Sequence, residues 1–197
     1  MNFFSDIFAY INSGGFVMWP LAVSIFVLWY GMGFRYNLLK RGNKISVREL
    51  IRKYNRGFKK APTGMIDSAV VEALEIVKNS DPKLARRLLD DAFFEYEQGL
   101  KKYKILIKVI VVVAPLAGLL GTVIGMIETF DSLASMSLFS QSGGIAGGIS
   151  QALFTTQFGL VVAVPGLVVG RMLDKKELTM RNELSQIKDI VLVTNVH

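Results

Sequence analysis

The sequence predicts an all-α polytopic membrane protein with three transmembrane helices. Three observations carry that expectation: long uncharged runs, a lopsided distribution of basic residues, and helical spacing of apolar residues between the runs. Apolar residues make up 51% of the 197-residue chain, and the mean hydropathy is +0.40. The uncharged runs lie at 7–34, 109–127 and 132–170, and each supplies the roughly 20 apolar residues that cross a bilayer at about 1.5 Å per residue. The third run is too long for one span, and its first part, SLASMSLFSQSGG, is rich in Ser and Gly, so 131–144 reads as an external loop and the span as 145–170.

Charge fixes the expected orientation. Residues 35–104 hold 17 Lys and Arg and residues 171–197 hold five, whereas 1–34 and 131–144 hold none. Basic loops stay on the cytoplasmic side, so three spans put the N-terminus outside (periplasmic) and both the middle segment and the C-terminus in the cytoplasm. The net charge of +7 then reads as a positive-inside signal with attraction to anionic lipid heads. It does not read as a nucleic-acid footprint, which pairs a basic face with stacking aromatics on a soluble fold. The chain has no cysteine, which excludes disulfides and thiolate metal sites.

Each element follows in order. Phe3, Phe4, Ile7, Phe8 and Ile11 recur at helical spacing before Gly14-Gly15, giving a short amphipathic periplasmic helix within 1–16. No small-residue cleavage site follows the first apolar stretch, so the span at 17–34 is expected to stay as an anchor, with Trp19 at its outer edge and RYNLLKRGNK at its inner one. The cytoplasmic region 35–104 reads as helices: a basic one from Ser46 to about Lys59, a break at Pro62 and Gly64, then 65–78. A new start follows at Asp81-Pro82, with Asp as cap and Pro in the first turn. From Pro82 no stop is evident before Pro115. The stripe Leu84, Leu88, Leu89, Ala92, Phe93, Tyr96, Leu100 and Tyr103 predicts that span two (105–130) continues a long cytoplasmic helix. Leu173, Met180, Leu184, Ile187 and Val191 predict the same continuation of span three into 171–197.

Spans two and three carry small-residue seams. In APLAGLLGTVIGMIETF, Ala114, Gly118, Gly121, Gly125 and Glu128 fall three or four apart with Thr122 beside them; in the next span Gly148, Ala152, Thr155, Gly159, Ala163, Gly166 and Gly170 do the same. Lipid gives little hydrophobic drive between helices, so such seams mark close packing, with hydroxyls bonding back to a carbonyl or across the contact. Packing alone explains much of this. Gln151 is harder to absorb, because an amide facing hydrocarbon is costly and should meet protein or water. Glu128, near the outer end of span two, reads either as an interfacial carboxylate or as an outer ion entry. Counted from the outer ends, Thr122 lies about eight and Thr156 about eleven residues deep, roughly 12 Å and 16 Å. Such a hydroxyl layer can hold a cation or water but cannot carry the proton itself.

APLAGLLGTVIGMIETF followed by GGISQALFTTQFGLVVAVP resembles the paired signature of the ExbB/TolQ/MotA proton-channel family, and three spans resemble the ExbB/TolQ branch and its compact ExbB-like members more than MotA. The resemblance implies a multi-pass subunit of the bacterial inner membrane. In such a complex a homopentamer lines a central pore around an ExbD/TolR-like single-span partner, a dimer, whose aspartate carries the proton. Proton flow, with sodium as the alternative ion, then drives work on a TonB- or TolA-like protein, as in TonB-dependent uptake. By position it implies Thr122 and Thr156 as pore threonines, with Thr155 beside them, and Pro165 as the span-three proline. Gln151 stands where the family often has glutamate, which leaves it a water-ordering or hydrogen-bonding role. No cofactor and no metal is implied.

Other readings compete. GTVIG bears a superficial likeness to a potassium filter, but it sits mid-span on a helical seam. An intramembrane enzyme would want a paired aspartate, a Ser/His couple or metal ligands in the spans, and the only histidine is His197. The chain is therefore read as a non-enzyme. A TolQ-type envelope subunit, a MotA-type stator and a passive membrane scaffold complete the alternatives.

Overall fold

The computed structural model describes residues 8, 11–42, 45–57, 61–135 and 142–194. All of the regular elements among them are helices: α1 (Met18–Leu38), α2 (Val47–Asn55), α3 (Met65–Asn79), α4 (Pro82–Lys101), α5 (Lys104–Ser135) and α6 (Ser142–Thr194). They form two compact units, the described parts of Met1–Met32 with Ile105–Gly170, and of Gly33–Lys104 with Arg171–His197.

In the first unit α5 and α6 approach backbone to backbone, because glycine on one helix meets the main chain of the other. A Cβ on Gly118 would lie 3.0 Å from Thr155 O, one on Gly159 2.7 Å from Ala114 O, and one on Gly125 2.7 Å from Gly148 O. Packing of this closeness replaces the hydrophobic drive that lipid does not supply. Helix α1 joins through Leu28, which together with Val111 covers Gly166. Pro115 and Pro165 lie inside unbroken helices. Each removes one backbone bond, which neighbouring helices tolerate at membrane depth.

The outer faces stay apolar. Phe26, Val112, Leu116, Leu153 and Val164 are all more than half exposed. Among the described residues two helices are long and apolar enough to cross a membrane, and only 22% and 33% of their most apolar stretches are buried. A soluble core helix would be mostly buried, so these faces need lipid or further protein against them.

The second unit is a helical core closed by ion pairs. Leu50 and Ile51 of α2, Ile66, Val70 and Ala73 of α3, and Leu89, Phe93 and Leu100 of α4 are buried. So is the α6 stripe Leu173, Met180, Leu184, Ile187 and Val191, as its spacing predicts. Leu84 and Leu88, expected on the same face of α4, are exposed at 52% and 38%. Arg41 pairs with Glu183 at 2.7 Å, Arg181 with Glu97 at 2.9 Å, and Lys188 with Asp90. The Tyr96 phenol donates to Glu72 at 2.7 Å. Burial, and then that bond, raise its pKa well above the ordinary tyrosine value, so it remains a donor.

Four charged groups from distant parts of the chain meet here. Arg35 Nη2 donates to Asp174 at 2.8 Å and to Glu177 at 2.6 Å, and Lys104 Nζ donates to Glu177 at 2.8 Å. Arg35 is 1% and Glu177 2% exposed. Each buried charge is thus paired, without which its burial would be prohibitive.

The sequence expectations need three corrections. The helix from Pro82 does not run unbroken into α5: it ends at Lys101, and Tyr103 adopts φ 61°. A left-handed non-glycine residue costs about 1–2 kcal/mol, offset here by the Tyr103 ring edge on Phe34, with centroids 5.0 Å apart, and by Lys104 reaching Glu177. Secondly, α5 continues to Ser135 and α6 begins at Ser142, so both helices extend into the stretch read as the 131–144 loop; 136–141 lie outside the described residues. Thirdly, the basic helix expected from Ser46 to Lys59 is α2, Val47–Asn55. Most of the amphipathic helix expected in 1–16 also lies outside the described residues. Residues 8 and 11–13 are helical, and Phe8 packs edge-on against Trp19 at 5.7 Å.

The seam gives a direct test. Gly125→Ala, whose new methyl meets α6 backbone, should destabilise the detergent-solubilised protein by about 1–3 kcal/mol. Gly147→Ala, with nothing within 4 Å, should be neutral or stabilise by up to about 1 kcal/mol through helix propensity. Thermal unfolding of both variants checks the contrast.

Candidate ion-pathway site

Hydroxyls cluster on the α5–α6 crossing. Gly121 faces the Thr155 side chain, and Gly118 faces the main chain of Thr155 and Thr156. Thr122 follows Gly121 by one residue and Thr156 follows Thr155 by one, so both belong to the layer that this contact defines, as their matched depths predict. Thr122 and Thr156 are partly exposed, whereas Thr155 is fully buried.

Every one of these hydroxyls donates back into its own helix. Thr122 Oγ1 donates to Leu119 O at 2.6 Å and Thr156 Oγ1 to Ala152 O at 3.2 Å. Thr155 Oγ1 is shared between Gln151 O at 3.2 Å and Ala152 O at 3.0 Å. A hydroxyl whose proton is committed internally presents its oxygen lone pairs outward. Thr122 and Thr156 can thus accept a hydrogen bond from water or from a protonated acid, or coordinate a cation. Thr155, closed into the seam against Gly121, serves the packing and does not reach an open face of the chain.

At the outer end of the seam the structure joins two residues that the sequence left apart. Gln151 Nε2 donates to Glu128 Oε1 at 3.4 Å. Gly15 lies over this pair at φ +67°, a backbone angle that L side chains rarely adopt and that favours glycine there. Gln151 has thereby found protein.

Residues 59–186 match the MotA/TolQ/ExbB proton channel family. The chain belongs to this family. Among its relatives, the putative biopolymer transport protein ExbB-like 3 of Synechocystis is 41% identical over 99 residues, 50% of this chain and 47% of that protein. The biopolymer transport protein exbB1 of Vibrio cholerae is 35% identical over 85 residues, 43% of this chain and 36% of that protein. A putative ExbB homolog of Methanothermobacter thermautotrophicus is 24% identical over 175 residues, 83% of this chain and 61% of that protein. The matched stretches thus span less than half the length of the first two relatives. The family is one of channel and transport subunits and not of enzymes, and this ExbB-like member is a helical membrane protein.

Placed on this member, the five glycines 118, 121, 125, 148 and 159 all lie in the α5–α6 contact, and Pro165 sits half-buried in unbroken α6. Sequence reasoning passed over Thr129, which is 3% exposed. Its hydroxyl donates to Gly125 O at 2.8 Å and it packs on Gly148. The signal was available, since Thr129 falls four residues after Gly125 on the same helical row. The pairing of Gln151 with Glu128, 23 residues apart, leaves no such local trace.

The outer pair predicts a compensating exchange. Gln151→Glu sets a second carboxylate against Glu128 and should lower the thermal midpoint at neutral pH, and adding Glu128→Gln should restore it. Unfolding of the two single variants and the double variant measures the coupling.

Proposed function

We propose that this chain is the pore-forming subunit of an inner-membrane machine driven by the proton-motive force. Several copies, five by the family resemblance, surround the membrane helices of an ExbD/TolR-like partner, and proton flow is coupled to work on a TonB- or TolA-like protein, TonB-dependent uptake being the favoured load. The observation that carries this reading is the hydroxyl layer: Thr122 and Thr156 share one level of a tightly packed helix pair, partly exposed, each with its own proton donated inward. Such oxygens suit the transient solvation of a proton delivered by a carboxylic acid. Residues 109–127 and 132–170 hold no charge, so the acid must come from the partner.

A layout of three spans belongs to this reading. The uncharged part of α1, 18–34, gives roughly 25 Å of rise at 1.5 Å per residue, at the short end of what crosses a hydrocarbon core of about 30 Å. With α1, α5 and α6 crossing, the basic segments 35–104 and 171–197 fall together in the cytoplasm and the N-terminus in the periplasm. The coupling ion is the proton, with sodium the alternative.

A passive scaffold is the competing reading, because a threonine that bonds back to its own helix can also be a packing residue. Valine is the substitution that separates the two. Thr122→Val and Thr156→Val keep the side-chain shape and remove the oxygen, so assembly with the partner should persist while energy-dependent growth falls at least tenfold. A double valine variant with full activity would establish the scaffold instead.

A further inference from the structure

The second unit carries a basic pocket of about 830 Å³ that the ion pathway does not use. Its cations come from two places in the chain, Lys40 and Arg41 just after α1, and Lys175 and Lys176 on α6. Its exposed apolar surface is Met172 and the ring of Tyr36, and the buried Leu39 and Met180 border it. Among the described residues that line it there is no carboxylate. Lys176 Nζ stands 4.5 Å from the centre of the Tyr36 ring, and Arg41 is held by Glu183 and by Ile45 O. The rim is fixed as well: Met65 N–H donates to Lys40 O at 3.1 Å and Ile66 N–H to Arg41 O at 3.3 Å, so the first turn of α3 pins the 40–41 backbone.

The level of the pocket along its helices indicates the ligand. Tyr36 comes two residues after the uncharged run 7–34, and Met172 two residues after the run 132–170. That is about 3 Å of helix rise beyond each run, the level at which a bilayer changes from acyl chains to phosphates. We propose that this pocket binds the headgroup of an acidic phospholipid, its phosphodiester held by Lys40, Lys175 and Lys176 and its glycerol and upper acyl carbons laid on the exposed Tyr36 ring and Met172, which lie nearest the uncharged runs. Basic pockets beside membrane helices on the cytoplasmic side recognise anionic lipid heads in this way. A second copy of this chain is a poorer occupant, because it would have to supply acids against the clustered Lys40, Lys175 and Lys176 from a chain that is itself +7.

The test uses the full-length protein in a mild neutral detergent. Adding phosphatidylglycerol should raise its thermal midpoint by several degrees, and phosphatidylcholine should not. Lys40→Gln with Lys175→Gln, both exposed side chains, should abolish the rise, whereas the same charge change on α2, Arg52→Gln with Arg56→Gln, should leave it intact. A phosphatidylglycerol bearing a diazirine near its headgroup, added to the unaltered protein, should label the 172–180 segment. Equal response to the two lipids, an undiminished rise in the Lys40/Lys175 variant, or labelling elsewhere would overturn the proposal. So would glycerol 3-phosphate matching the lipid, which would make the site one for soluble anions. A change of oligomeric state in the Lys40/Lys175 variant that lipid does not influence would assign the pocket to a contact between copies.

Discussion

The backbone-to-backbone approach of α5 and α6 is the constraint on which the membrane part of this protein depends. Two helices in lipid gain little by hiding leucine, so the leucines and valines turn outward and the glycines turn inward. Gly118, Gly125 and Gly159 each leave room for a main-chain atom of the other helix where a methyl would stand within about 3 Å of it. From that closeness the rest follows: the register of the two helices, the burial of Thr155 and Thr129, and the shared level of Thr122 and Thr156. A seam built from larger side chains would hold the helices too far apart to set the hydroxyls in one layer.

Burial sorts chemically similar residues into different tasks. Thr155 and Thr156 are neighbours with the same side chain, yet one is closed against Gly121 and the other keeps an open oxygen. The charged residues are sorted likewise. Arg35 and Glu177 are withdrawn from water and paired with each other and with Asp174 and Lys104, while Lys40 and Lys175 stay exposed around a pocket whose described lining residues include no acid. The first set holds α1, α5 and α6 at their basic ends; the second leaves positive potential free for a ligand.

Much of this was legible in the sequence because it is periodic. The seams, the buried α6 stripe from Leu173 to Val191 and the helical class all follow from spacing of three and four. The hydroxyl level followed from counting residues along two antiparallel helices. What the sequence hid is non-periodic. The break at Lys102–Tyr103 carries no glycine or proline, because it is held by an aromatic contact with Phe34 from far along the chain. The outer pair of Gln151 and Glu128 and the four-charge cluster around Arg35 likewise join residues that no local pattern relates. Helix ends were misjudged at 131–144 because serine and glycine, read as loop formers, also continue helices that neighbouring structure supports.

The central claim is that this chain supplies a pathway and a partner supplies the proton carrier. Proton flux into liposomes, followed with a pH-sensitive dye under an imposed potential, tests it most directly. The protein alone should be nearly tight, and the protein reconstituted with its single-span partner should conduct, with conduction lost in the Thr156→Val complex. Equal flux with and without the partner, or conduction that survives the valine, would contradict the account.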